Sequence, residues 1–210
     1  MDISIVICTH NPEERVFRRC LDAVNRLNLL NMKTEILIVD NNSSPTLIAR
    51  DYVNKFLKDT PSAKCILEKK PGLTYARMTG NNEAQAPVVI FFDDDNEPDQ
   101  NYALAAHRIL LEKKEVGIIG PGVVKVDFVD GSDAWLETQR PFFQEMSVEK
   151  ELYSNNQMYY EKCYPYGTGL VVRKKILENY HSILSRNGEI SDRTGNMLLS
   201  GGDKQIVLCG

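Results

Sequence analysis

Short apolar runs rich in β-branched residues recur along the chain: ISIVI (3–7), EILIVD (35–40), KCILE (64–68), VVIFF (88–92) and VGIIG (116–120). Longer amphipathic stretches separate them, and this alternation limits the possible folds more than any other feature. Strand-length runs with no polar alternation suit strands buried on both faces. The segments between them have a helical period. Asn11 followed by Pro12 reads as an N-cap and first helical position, and residues 12–28 then place Val16, Cys20, Val24 and Leu27 on one face. Residues 46–58, 73–85 and 99–112 behave similarly. Strands alternating with helices predict an α/β fold: a mostly parallel, Rossmann-like sheet flanked by helices. The carboxyl ends of such strands are where ligands bind.

A chain of 210 residues supports one sizeable core, so a single domain is expected over 1–210. A formal net charge of −4 argues against a nucleic-acid partner, because a polyanion does not attract an acidic surface. No apolar run approaches the roughly 20 residues that cross a bilayer, so no transmembrane segment is expected. Cys8, Cys20, Cys65, Cys163 and Cys209 are scattered, without the close pairs of zinc or redox motifs, and read as reduced thiols of an intracellular protein. The expected location is cytoplasmic, with peripheral association at the inner face of the membrane left open.

Polar groups collect where the strands end: CTHN (8–11), DNNSS (40–44) and DDDN (93–96). Three consecutive carboxylates repel one another by about 1–4 kcal/mol per close pair at surface-like dielectric. A divalent cation reverses that sign; a solvated acidic turn before Pro98 is the plainer alternative. If strand geometry persists, Asp93 and Asp95 share one side and Asp94 faces the other. Oxygen ligands of this kind suit Mg²⁺ or Mn²⁺.

In that order and spacing, SIVICTHN, EILIVDNNSS, PGLTYARMTGNNEA and VVIFFDDDNEPD resemble the family 2 glycosyltransferases of the GT-A fold. The likeness covers residues 3–112 and returns in YPYGTGLVVRKKIL (164–177) and LSGGDKQI (199–206). It implies a donor-binding part over 1–120 and an acceptor-side part over 121–210, in a chain expected to continue past Gly210. It implies an inverting, metal-dependent transfer of a sugar from a nucleotide-diphospho-sugar to an acceptor hydroxyl. The acceptor would be a glycan or a lipid-linked precursor.

The resemblance also assigns residues. Thr9, Asn11 and Asp40 would line the nucleotide pocket; a carboxylate at 40 could accept a base N–H, or could cap an Asx turn. Arg77 would meet the diphosphate, with a local ion pair as its alternative. Asp93 and Asp95 would hold the metal, and Asp94 would face the ribose or sugar. Asp203 in SGGD would be the general base, although the same residues form an ordinary turn in other settings. Two positions depart from the family pattern: Cys8 stands where relatives carry Pro, and Gly202 replaces an acidic neighbour of Asp203. Gly167 and Gly169 would let backbone approach a sugar, and His10 could face the donor. The aromatics of 128–163 would either stack on an acceptor or pack as a lid.

A metal-dependent nucleotidylyltransferase could share this sheet and acidic site, but CTHNPEER lacks a Gly-rich, basic phosphate loop. A non-catalytic nucleotide-sugar-binding domain is the other alternative. Donor sugar, base and acceptor identity are not legible in these residues.

Overall fold

The computed structural model describes residues 1–29, 31–154, 163–187 and 202–210. Its first half runs β1 (Ile3–Thr9), α1 (Glu14–Asn25), β2 (Thr34–Asp40), α2 (Asp51–Asp59), β3 (Ala63–Leu67), α3 (Leu73–Glu83), β4 (Val88–Asp93) and α4 (Tyr102–Glu112). Shorter elements follow: β5 (Ile118–Ile119), β6 (Val123–Val124), α5 (Ala134–Glu137) and β7 (Met146–Ser147). Then come β8 (Leu170–Arg173), α6 (Lys174–Asn187) and α7 (Gly202–Val207).

One six-stranded sheet has the order β3-β2-β1-β4-β8-β5. The pairs β1–β2, β1–β4 and β2–β3 are parallel, whereas β8 is antiparallel to both β4 and β5. From β1 the chain winds outward to β2 and β3, then crosses back to place β4 on the other side. That reversal opens a crevice between the carboxyl ends of β1 and β4.

Side-chain alternation along β1 divides the core in two. Ile3, Ile5 and Ile7 pack with Phe17, Val53 and Ala106 on one face, while Val6 and Cys8 pack with Ala76, Leu170 and Leu177 on the other. Helix α3 lies close against this second face because Gly80 has no side chain; a Cβ there would run into Val6.

Three local expectations differ from what forms. Helix α1 starts at Glu14, because the Glu13 carboxylate caps it, accepting from the Arg15 and Val16 amides at 3.2 and 2.9 Å. Asn11 instead adopts φ 49° and turns the chain out of β1. Strand β3 is at the sheet edge and only partly buried, not covered on both faces. The predicted strand at 116–120 contracts to two residues and pairs antiparallel with β8.

Candidate active site

The crevice widens into a cleft of about 1460 Å³, larger than the span typical of a single small-ligand pocket. Its floor is Cys8–His10 at the end of β1, Asn41 after β2 and Asp93–Asn96 at the end of β4. Pro71–Thr74 and Arg77 also line it, as does a rim made by residues 123–129 with Phe142 and Phe143. That rim is tied to α1: Arg15 makes a two-pronged pair with Asp130 at 2.8 and 3.0 Å, and Arg19 bridges Asp127 and Glu97 at 2.7 and 2.6 Å.

The acidic run does not continue the strand. Asn96 stops β4 by accepting the Asp93 amide on Oδ1 at 3.1 Å and donating its own amide to the Asp93 carbonyl at 3.1 Å. Asp94 and Asp95 therefore lie in a turn, and all three carboxylates border the same cleft. The alternation expected of a continuing strand does not apply to Asp94 and Asp95, because β4 ends at Asp93. Asp94 accepts a hydrogen bond from the buried Thr9 hydroxyl, and Asp95 is exposed and accepts from the Asn96 side-chain Nδ2 at 2.9 Å. Burial pushes the Asp94 carboxyl up to about 6, opposed by the Thr9 hydrogen bond and reinforced by the charges of Asp95 and Asp93.

This donor set is all oxygen and carries concentrated negative charge, which fits a hard divalent cation. Among the described residues no three acidic, His or Cys side chains converge on one point. A cation here would need further oxygens from water or a phosphate.

Arg77 and Asp203 reach the cleft from opposite ends of the sequence. Arg77, on α3, is 5% exposed, and its Nη2 lies 3.9 Å from Asp93 Oδ1. Its Nη1 pairs with Asp203 Oδ1 on α7, and the Gly167 amide donates to Asp203 Oδ2 at 3.0 Å. Asp203 is thus held despite having Gly202 in place of an acidic neighbour; Gly201 lies outside the described residues.

Two predicted donor residues stand back from the cleft wall. Asp40, 2% exposed, accepts the Ser43 and Leu47 amides at 2.9 and 2.8 Å, three and seven residues on, and so anchors the loop that follows β2. Asn11 accepts the Ser44 amide on Oδ1 at 2.7 Å and donates its own amide to Ser43 Oγ at 2.9 Å. Together they fasten the loops after β1 and β2 to each other.

Asn41, passed over in the sequence, does border the cleft. Its side chain donates to the Lys70 carbonyl at 2.7 Å and accepts the Gly72 amide at 2.8 Å, anchoring the loop that leads into α3. Its backbone carbonyl lies 2.7 Å from His10 Nδ1, which fixes that ring at the cleft floor. Only the position of Asn41 after a buried strand could have flagged it. Of the aromatic segment, Phe128 and Phe143 stack edge-to-face with centroids 5.5 Å apart, and Phe142 is 83% exposed; residues 155–162 lie outside the described residues.

Comparison with known proteins follows the same lines. A model of the family described as "Glycosyl transferase family 2" matches residues 4–181. The chain is 32% identical over 126 residues to "Probable glycosyltransferase YdaM" of Bacillus subtilis (strain 168), covering 56% of this chain and 29% of that protein. Among solved structures, S. aureus TarS residues 1–349 in complex with UDP aligns with TM-score 0.65 at 15% identity, covering 86% of this chain and 49% of that one. The mannosyltransferase PcManGT from Pyrobaculum calidifontis, in complex with GDP-Man and Mn2+, aligns with TM-score 0.59 at 18% identity, covering 90% and 47%. The architecture is therefore that of the GT-A glycosyltransferases, and the chain spans about half the length or less of these relatives.

Proposed function

Because this chain belongs to glycosyl transferase family 2, we propose that it transfers a sugar from a nucleotide-diphospho-sugar to an acceptor hydroxyl with inversion at the anomeric carbon. The observation that carries this reading is Asp203, a carboxylate held at the same cleft as Asp93–Asp95 and joined to Arg77.

Asp203 takes the proton of the acceptor hydroxyl as its oxygen bonds to the anomeric carbon. The bond from that carbon to the phosphate oxygen breaks in the same displacement, and the nucleoside diphosphate departs with the electron pair. One carboxylate base is sufficient for such a step, with no protein nucleophile. Arg77 is fixed in charge and planar, suited to a phosphate oxygen on the cleft side of its guanidinium. Thr9 and Asp94 border the donor, with Asn11 and Asp40 ordering the loops beneath it.

Asp93 and Asp95 would hold Mn²⁺ or Mg²⁺, which when bound supplies positive charge to the departing diphosphate. Phe142 and Phe143 offer open aromatic faces to a glycan or lipid-linked acceptor. No helix among the described residues is long and apolar enough to cross a membrane. We place the work in the cytoplasm, with peripheral contact at the inner membrane face for a lipid-linked acceptor, and assign 1–120 to the donor and 121–210 to the acceptor.

The test is release of nucleoside diphosphate from a panel of UDP-, GDP- and dTDP-sugars in Mn²⁺, comparing wild type with Asp203→Asn. Release abolished by the substitution supports transfer through Asp203, and equal release overturns it.

A further inference from the structure

The glycine at 167 belongs to the YGTG stretch, which fails as a dinucleotide fingerprint for want of a third glycine. Its surroundings give it another use. A Cβ built at Gly167 would lie 2.5 Å from Arg77 Nη2 and 2.9 and 3.0 Å from the two oxygens of Asp203. Carbon does not approach these atoms so closely, so any side chain at 167 forces something to move.

Arg77 and the 167–169 loop are each held by several contacts. Arg77 is buried on α3, with its guanidinium over the Phe91 ring at 5.8 Å and its second nitrogen facing Asp93. The loop is fastened along its length: the Gly167 carbonyl accepts from the Leu170 amide at 3.2 Å, Thr168 Oγ1 donates to Gln144 Oε1 at 2.7 Å, and Tyr102 Oη donates to the Gly169 carbonyl. Asp203 sits on the six-residue α7 and is the most easily displaced of the three. Gly202 differs, since a Cβ there would meet Arg77 Nη1 and Thr74 Oγ1 only at 3.7 Å, an ordinary contact.

We infer that Gly167 is a positioning residue for Asp203, its amide holding one carboxylate oxygen while its missing side chain lets the Arg77 guanidinium hold the other. This inference rests on Asp203 being the base. With one oxygen on the amide and one on the guanidinium, the carboxylate plane is fixed, and each oxygen keeps a lone pair for the acceptor proton. A base placed in this way loses efficiency with small displacements, and a shift of about 1 Å can cost on the order of 10²-fold in rate.

A double-mutant cycle on the longest available chain tests the clamp, using wild type, Gly167→Ala, Asp203→Asn and the double variant. The probe is whichever of UDP-glucose, UDP-N-acetylglucosamine or GDP-mannose the wild type converts fastest in Mn²⁺, read as kcat for nucleoside diphosphate release. Calorimetry of the same nucleotide sugar gives donor affinity. Gly167→Ala should lower kcat on the order of 10²-fold with donor Kd changed less than about threefold, and should cost nothing further in the Asp203→Asn background. A loss that multiplies with that of Asp203→Asn, or a Kd that rises in step with the fall in kcat, overturns the clamp while leaving the base intact. Wild-type turnover by Asp203→Asn overturns the base and the clamp together. Should Gly167→Ala fail to fold, Thr168→Val carries the same cycle, because it cuts the tether of the Gly167 loop to Gln144 and touches neither Arg77 nor Asp203. Additivity there overturns the clamp equally.

Discussion

Arg77 and Asp203, 126 residues apart in sequence, form an ion pair that joins α3 to α7 at the cleft. The same guanidinium faces Asp93 at 3.9 Å, so one buried arginine stands between the acidic turn and the proposed base. In the proposed mechanism this cluster would serve two ends, charge for the leaving group on one side and a proton acceptor on the other.

If Asp203 acts only on the acceptor, Asp203→Asn lowers turnover by roughly 10²- to 10⁴-fold and leaves donor affinity within a few-fold. Steady-state kinetics with donor calorimetry separates the two quantities. Near-wild-type turnover leaves Asp203 as a structural ion-pair partner of Arg77 on α7.

Clustered carboxylates repel a diphosphate unless a cation intervenes. A nucleotide sugar should therefore raise the melting temperature in Mn²⁺ and not in excess chelator. Equal stabilisation in both conditions removes the metal from donor binding.

Asp94 titrates above its ordinary carboxylate range, at about 6 against 3.8, chiefly through burial. Proton binding then favours the folded state: this contribution is fully present below about pH 4 and lost as pH rises through 6. In chelator, wild type should gain stability relative to Asp94→Asn as pH falls from about 7 to 5. Urea titrations of the two proteins at both pH values provide the measurement, and a constant difference contradicts the burial of this carboxyl.

Gly80 lets α3 rest on Val6 of β1 and Val39 of β2. Gly80→Leu should destabilise the fold by about 1–3 kcal/mol or more through overpacking. A denaturation midpoint unchanged by the substitution would mean that α3 sits further from the sheet.

Burial pushes the Cys8 thiol up to about 12 and also raises Cys20. Both should resist Ellman's reagent in the folded protein and react on unfolding, which peptide mapping of the labelled cysteines resolves.

The sequence by itself determined the parallel half of the sheet and the place of the site. Buried strands need uninterrupted apolar runs, and polar clusters directly after such runs must lie at strand ends, so CTHN, DNN and DDDN could be assigned to one edge. What it could not determine was direction. Whether Asp93, Asp94 and Asp95 alternate or share a cleft depended on where β4 stops, and that was decided by the Asn96 side chain folding back on the Asp93 amide. Asp40 reads first as a base-reading carboxylate, with a turn or cap as its alternative, and the structure has the Ser43 and Leu47 amides on its two oxygens. The meeting of Arg77, Gly167 and Asp203 was least legible of all. Apolar periodicity reports which face of an element is buried, but the contact of an arginine, a glycine amide and a carboxylate from three distant segments is set by how those elements pack.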